Sequence, residues 1–325
     1  MMQPFARLRC SVLGAALAAA CALACAPIVA TAQTAAAHTG DFQFGVIGHS
    51  FKTSADESVL RRALAGANAD APAFVVATGI KASSEPCGDR LYAQRKAVLE
   101  QSEQPMIVSL AGSDWAECQN SAGRSNAIER LNRLRELFFS DSQSLGVHRL
   151  GVTRLSGTAK FRAYAENAHW QVGSVLFATI NLPAKNNHYR PEAGRNSEYE
   201  DRLVANRAWL HRVFTLAARQ HLDGVVLFSD GDIGLQKESG FSLLSDFGAR
   251  QDGFAEPRRQ LKALAEKFKG KVLLVDTGSS AGSDTAIRWR DNVGHLNLGA
   301  AWATVRVGQG SAQLFSVKGA DSAPQ

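Results

Sequence analysis

Ala73–Trp115 reads AFVVATGIKASSEPCGDRLYAQRKAVLEQSEQPMIVSLAGSDW. An apolar run, a polar loop, a helical segment, a second apolar run and a second polar loop follow one another in it. Ala73–Thr78 has the β-branched character of a strand buried on both faces. Asp89–Ser102 offers Leu91, Tyr92, Ala97 and Leu99 as a helix packing face, and Met106–Leu110 returns to strand. That order is a βαβ unit with a parallel sheet. The same junction of strand and small polar loop recurs in FGVIGHS at Phe44–Ser50 and KVLLVDTGSS at Lys271–Ser280. Loops at the ends of parallel strands are where α/β proteins usually place their chemistry.

Outward from this unit, Phe42–Gly48 reads as the first strand. Ser54–Asn68 reads as a helix with Val59, Leu60, Ala63 and Leu64 at helical spacing and Asp56 and Glu57 at its start. Arg124–Phe139 is the clearest amphipathic helix, with Ile128, Leu131, Leu134 and Phe138 on one stripe. Beyond Gly146 the pattern changes, and Arg162–Glu166, His169–Val172 and Ser174–Asn181 read as strands of a more exposed, antiparallel sheet. Asn186–Glu198 is a polar excursion, Glu200–His221 a long helix and Gly224–Ser229 a strand. Gly231–Asp252 is a loop-rich insertion before a helix at Glu256–Lys269 and a strand at Val272–Asp276. Ala303–Val307 and Ala312–Val317 suggest a hairpin around Gly308–Gly310. One α/β domain over 41–318, with two sheets flanked by helices, accounts for this pattern.

Within the 325 residues, Arg7 and Arg9 precede an apolar run from Ser11 to Ala30, and Ala30-Thr31-Ala32 offers a signal-peptidase pattern. Residues 1–32 therefore read as a signal peptide, 33–40 as a flexible stretch and 319–325 as a flexible tail. A membrane anchor is the competing reading of the leader. Lipidation at Cys21 or Cys25 is disfavoured by the Ala three residues before each. No later stretch is long and apolar enough to span a bilayer, so export places the mature chain in the periplasm or outside the cell. Loss of the leader leaves Cys87 and Cys118, which in an oxidising compartment suggest one disulfide between two of the polar loops. A buried reduced pair is the alternative. The formal charge of +6 and pI near 9.2 are mild. Basic residues alternate with acidic ones, as in RLNRLRELFFSD at Arg130–Asp141 and EPRRQLKALAEKFKGK at Glu256–Lys271. These are solvated helix faces, not a nucleic-acid footprint.

Several blocks carry a further signal: TGIKASSEPCGDRLYAQRKAVLE at Thr78–Glu100, AGSDWAECQ at Ala111–Gln119, RLNRLRELFFSDSQSLG at Arg130–Gly146, VLFATINLPAKNNHY at Val175–Tyr189 and VLLVDTG at Val272–Gly278. In this order they resemble the calcineurin-like metallophosphoesterase superfamily, and more closely an exported bacterial branch with blocks similar to GDIKSGSSPC, GDNEWTDC and RLxxLRELFF. The resemblance covers most of the mature chain. It implies a two-sheet β-sandwich flanked by helices on both sides, a four-layer α/β/β/α arrangement, and hydrolysis by water activated between two metal ions.

The chain departs from that pattern where ligands are needed. His49 follows Gly48 where the family places an Asp. Gly79 runs directly into Ile80 without the bridging Asp, and Gly112 and Ser113 stand where Asp or Asn would precede the Trp block, with Asp114 one position later. The late histidine block becomes Thr277-Gly278-Ser279-Ser280, with Asp276 in place of its leading His. Glycine supplies no ligand, and a dinuclear site generally needs negatively charged bridging ligands. His49, Asp114 and Asp276 are the remaining candidates for a single-metal or otherwise functional site. Ser113, Asn181, Asn186, Asn187 and His188 are candidate cleft residues. The asparagines could orient a phosphoryl oxygen or a sugar hydroxyl, although shaping a turn is the simpler role. Asp230-Gly231-Asp232 reads as a turn with solvated carboxylates, and Gly294-His295 as a weak signal without a second histidine. Ser109 and Ser113 lack a nucleophile elbow.

Two functions compete. The favoured one is a non-catalytic exported relative, a pseudoenzyme, keeping a cleft for a small molecule, glycan or protein of the cell envelope and needing no cofactor. The other is a hydrolase of phosphomonoesters or phosphodiesters with an atypical site of one Mn, Fe or Zn ion.

Overall fold

The computed structural model describes residues 40–190, 196–235, 251–278, 283–311 and 313–321, all within the compact unit Ala35–Gln325. The expected leader, residues 33–39 of the flexible stretch, Ser279, Ser280, the centre of the 231–252 insertion and residues 322–325 of the tail lie outside the described residues.

The βαβ unit forms as the sequence indicates. β1 (Phe42–Ile47) is followed by α1 (Glu57–Ala69), β2 (Val75–Thr78), α2 (Asp89–Leu99), β3 (Met106–Ser109), a single turn α3 (Gly112–Trp115) and α4 (Ala127–Phe138). Asp56 caps α1 by accepting from Ser58 N at 2.8 Å. On α4, Leu131, Leu134 and Phe138 are buried as expected, whereas Ile128 is 54% exposed and does not belong to the core stripe. The chain continues through β4 (Thr153–Arg154), β5 (Ala168–Val172), β6 (Val175–Thr179), a short turn α5 (Ala184–Asn187), the long helix α6 (Ser197–Arg219), β7 (Gly224–Phe228), α7 (Ala255–Lys267) and β8 (Lys271–Asp276). It ends with β9 (Arg288–Arg290), β10 (Val293–Asn297), β11 (Trp302–Val307) and β12 (Phe315–Asp321), the last extending past 318.

These strands form a five-stranded sheet in the order β12-β11-β1-β2-β3 and a seven-stranded sheet in the order β4-β5-β6-β7-β8-β10-β9. β1, β2 and β3 run parallel, as do β6, β7, β8 and β10. The sheets pack face to face with helices on their outer faces, the four-layer α/β/β/α arrangement. Strand periodicity explains the uninterrupted apolar runs. Phe42, Phe44 and Val46 of β1 point into the core between the sheets, while Ile47 turns toward α1 and α2. On β6, Val175 and Phe177 face that same core, whereas Leu176 and Ala178 meet α6. Phe44, Phe74, Trp170, Phe177 and Phe228 form its centre, with Phe74 and Phe177 edge to face at 4.8 Å.

One expected strand is absent. Arg162–Glu166 follows a 3-10 turn at Ala159–Phe161 and is irregular; Thr153–Arg154 pairs with β5 in its place. Phe161 and Tyr164 pack edge to face at 6.2 Å in that turn region. Among the described residues no helix is long and apolar enough to cross a membrane.

Candidate functional site

The C-terminal ends of the parallel strands of both sheets meet at one mouth, and each sheet contributes a distinct cluster. On the five-stranded side, His49 emerges after β1 and is held by its backbone N–H on Gly299 O at 2.7 Å. Its ring lies directly over Gly79, whose φ is +74°; a Cβ there would sit 2.1 Å from His49 Cδ2. The absence of a side chain at Gly79 therefore leaves room that the imidazole fills. His49 Nε2 is 3.1 Å from both Lys81 O and Ser113 Oγ, and Ser113 Oγ donates to Lys81 O at 3.0 Å. A carbonyl oxygen only accepts, so Nε2 carries the proton in this arrangement. It can then neither ligate a metal nor take a proton from Ser113.

Asp114 is fully buried. Its Oδ1 accepts from Ile80 N at 2.9 Å and Lys81 N at 3.3 Å, and its Oδ2 from Ala111 N at 2.7 Å. Burial pushes its pKa up to about 6, with the charge of His49 and the backbone donors pulling the other way. Lys81, 1% exposed, donates from Nζ to Ala82 O at 2.7 Å and Ser113 O at 2.8 Å. Burial draws its pKa below the usual lysine range against the pull of Asp114. A side-chain cation is thus already built into this half of the mouth.

Asp230, after β7, is not the solvated turn residue that its sequence suggests. It is 4% exposed. Its Oδ2 accepts from Gly112 N and Ala184 N, each at 2.7 Å, and its Oδ1 from Thr277 Oγ1 at 2.9 Å. One carboxylate thereby joins the loops after β3, β6 and β8. Lys52 donates from Nζ to Thr277 O beside this node. Desolvation of its ammonium end lowers its pKa, opposed by the nearby charges of Asp230 and Asp276.

Asp276 belongs to a third group, with Asp232 and His295, whose donor atoms lie within 4.8 Å of one another. His295 Nε2 is 2.5 Å from Asp276 Oδ2 and 3.8 Å from Asp232 Oδ1. Asp276 Oδ1 accepts from Asn297 Nδ2 and Gly278 N, each at 2.9 Å. Behind the imidazole, Arg288 NH2 is 2.8 Å from His295 Nδ1. A guanidinium only donates, so in the neutral ring Nδ1 accepts and the single imidazole proton sits on Nε2, facing Asp276. Burial depresses the His295 pKa, but Asp276 and then Asp232 raise it above the ordinary imidazole range. These are the described residues best able to hold a cation, yet Nε2 would first have to lose its proton. The side chains at the mouth do not fit a two-metal centre: Asp114 and Asp230 spend both oxygens on protein donors, and no bridging carboxylate follows Gly79.

The structure therefore brings His49, Ser113 and Asp114 into one cluster and places Asp276 in another. Asn181 donates from Nδ2 to Glu166 Oε1 at 3.0 Å and its Oδ1 is buried without a partner. Lys185, Asn186, Asn187 and His188 run through consecutive left-handed conformations with φ of 57°, 61°, 53° and 54°. Such residues cost about 1–2 kcal/mol each, less for Asn. Hydrogen bonds hold the turn: Asn186 Nδ2 to Gln251 O, Asn187 Nδ2 to Gly253 O, and Arg202 to Asn187. Both asparagines thus shape the turn. His188 packs edge to face on Trp115 at 5.0 Å, and burial lowers its pKa to about 4. Cys87 and Cys118 form a disulfide, with Cα atoms 5.8 Å apart, between the loop before α2 and the segment after α3.

Lys52, Lys81, Asp230, Asp232, Arg288 and His295 are the site residues that sequence reasoning missed or discounted. Asp230 follows an apolar strand and Gly294-His295 is a weak local signal; the roles of the others depend on contacts between distant segments.

No protein-family profile and no curated protein matches the chain. Among solved structures it is similar to a Staphylococcus aureus protein described as a candidate 5′-nucleotidase and crystallised with alpha-ketoglutarate. The identity is 13% and the TM-score 0.42, over 86% of this chain and 53% of that one. This chain thus spans about half the length of that relative. It is also similar to a novel phosphatase from Mycoplasma pneumoniae, at 7% identity and a TM-score of 0.43, over 87% of this chain and 95% of that one.

Proposed function

We propose that the protein is an exported, non-catalytic relative of the calcineurin-like metallophosphoesterases, acting in the periplasm or outside the cell by binding a small molecule, glycan or protein of the cell envelope. The observation that carries this reading is that protein donors of Gly112, Ala184 and Thr277 engage both oxygens of Asp230. A bridging metal would link the loops of both sheets; here a carboxylate does so with protein donors. Asp114, closed by Ile80, Lys81 and Ala111, and the ammonium groups of Lys52 and Lys81 support the same reading. A cation beside Lys52 would meet like charge in a partly desolvated place.

The convergence of Asp232, Asp276 and His295 favours a second reading, a phosphoesterase using one Mn, Fe or Zn ion. The two separate by metal analysis of the purified protein after incubation with each ion, paired with hydrolysis of bis-nitrophenyl phosphate. The non-catalytic reading expects neither stoichiometric metal nor turnover, alongside a cooperative thermal transition. Stoichiometric metal, with turnover lost in Asp276→Asn, would establish the second reading instead.

A further inference from the structure

Away from the strand-end mouth, a cavity of about 600 Å³ opens between the β4–β5 edge of the seven-stranded sheet and the second half of α6. α6 begins near the mouth and finishes beside the β5–β6 turn, where Asp223 N bonds Ser174 O at 2.8 Å. The cavity therefore lies toward the end of the sheet remote from Asp230.

Its polar wall is donor-rich. The helix supplies His211, Arg212, Arg219 and Gln220, and β5 supplies His169 and Gln171. Leu150 and Leu216 add apolar surface. Among the described residues no carboxylate lines this cavity. Arg212 spends NH1 on Thr158 Oγ1 at 3.1 Å, which leaves its other N–H groups for a ligand. His169 lies against the Trp209 ring at 5.4 Å, and burial, assisted by the Arg212 charge, lowers its pKa to about 4. It is therefore a neutral hydrogen-bonding group here. The contrast with the cavity beside α7 is informative. Arg258, Lys262, Lys269 and Arg290 line that one, but so do Glu266 and Asp291, which oppose an anion.

We propose that the β4–β5 cavity binds a small anionic sugar, a monosaccharide carrying a phosphate or a carboxylate. Guanidinium groups suit either oxyanion through paired N–H donors. The Gln171 and Gln220 amides can donate to and accept from sugar hydroxyls, while Leu150 and Leu216, both only partly buried, cover the carbon frame. The volume is that of a small-molecule site. This site is separate from the mouth and stands whichever reading of the mouth holds.

Calorimetric titration of the purified protein with glucose 6-phosphate, glucuronate and glucose tests it. The expected result is saturable binding of one or both anionic sugars and none of glucose at the same concentrations; preference between the first two identifies the oxyanion. Arg212→Gln and Arg219→Gln, both at exposed positions, should keep the wild-type thermal transition and each weaken binding roughly tenfold or more. Lys269→Gln, in the α7 cavity, should leave it unchanged. No binding of either anionic sugar, equal binding of glucose, affinity unchanged in both arginine variants, or loss in Lys269→Gln would overturn the assignment.

Discussion

Asp230 Oδ2 lies 2.7 Å from Gly112 N, and this bond joins the loop after β7 of one sheet to the loop after β3 of the other. With Ala184 N and Thr277 Oγ1 on the same carboxylate, one buried acid organises the strand-end mouth. The groups a catalytic centre would leave free for a cation are spent here on the protein itself.

Removing that acid should therefore cost stability. Asp230→Ala leaves buried donors of Gly112, Ala184 and Thr277 unpaired, with an expected loss of about 3–5 kcal/mol. Asp230→Asn keeps an acceptor and should lose less. Urea unfolding measures both, and a midpoint unchanged in Asp230→Ala would show that the carboxylate does not tie the loops.

Arg288 should decide whether the Asp232–Asp276–His295 group accepts a metal. While the guanidinium occupies His295 Nδ1, the proton stays on Nε2. Zinc should leave the wild-type melting temperature unchanged. In Arg288→Ala the proton can move to Nδ1, freeing Nε2 as a ligand, and zinc should raise the melting temperature by several degrees. A zinc response of equal size in both proteins would show that Arg288 does not control the site.

The fold was legible because both faces of the parallel strands are covered, so Ala73–Thr78 and Met106–Leu110 read as continuous apolar runs between a helix and small loops. β9 and β10 escaped notice. Arg288–Arg290 is an exposed edge segment, and Val293–Asn297 contains Gly294 and His295, neither a strong strand former. Legibility at the site divides in the same way. That Ile80 follows Gly79 and Ser113 follows Gly112, with no carboxylate between, can be read in the chain itself. The role of Asp230 cannot, because its partners Gly112, Ala184 and Thr277 are far away in sequence and Asp-Gly-Asp locally favours a turn. Lys52 and Arg288 act through the ends of long side chains, whose reach no local pattern encodes.

Replacing Cys87 and Cys118 by alanine opens a loop with a sequence separation of 31. Chain entropy alone assigns that closure about 3–4 kcal/mol. The double variant should lose about this much in urea unfolding, while dithiothreitol should lower the wild-type midpoint toward the same value and leave the variant unaffected. Equal stability of variant and wild type would mean that packing of Tyr92 and Trp115, not the bridge, holds these loops together.

Stability should depend on pH through opposing groups within one window. The Asp114 pKa rises from 3.8 to about 6 on folding, so its contribution is fully present below the unfolded value and is lost as pH rises through 6, by about 3 kcal/mol. His169 and His188 fall from 6.5 to about 4. Their contributions are present above 6.5 and lost as pH falls through 4, each by about 3 kcal/mol. Two histidines outweigh one carboxylate, so the wild-type protein should lose stability between pH 6 and pH 4. A His169→Gln/His188→Gln variant removes the larger slope and exposes the other, and its stability should rise as pH falls across the same interval. Urea unfolding at closely spaced pH values reads the sign directly; a double variant that still weakens toward pH 4 would show that other groups set the acid limit.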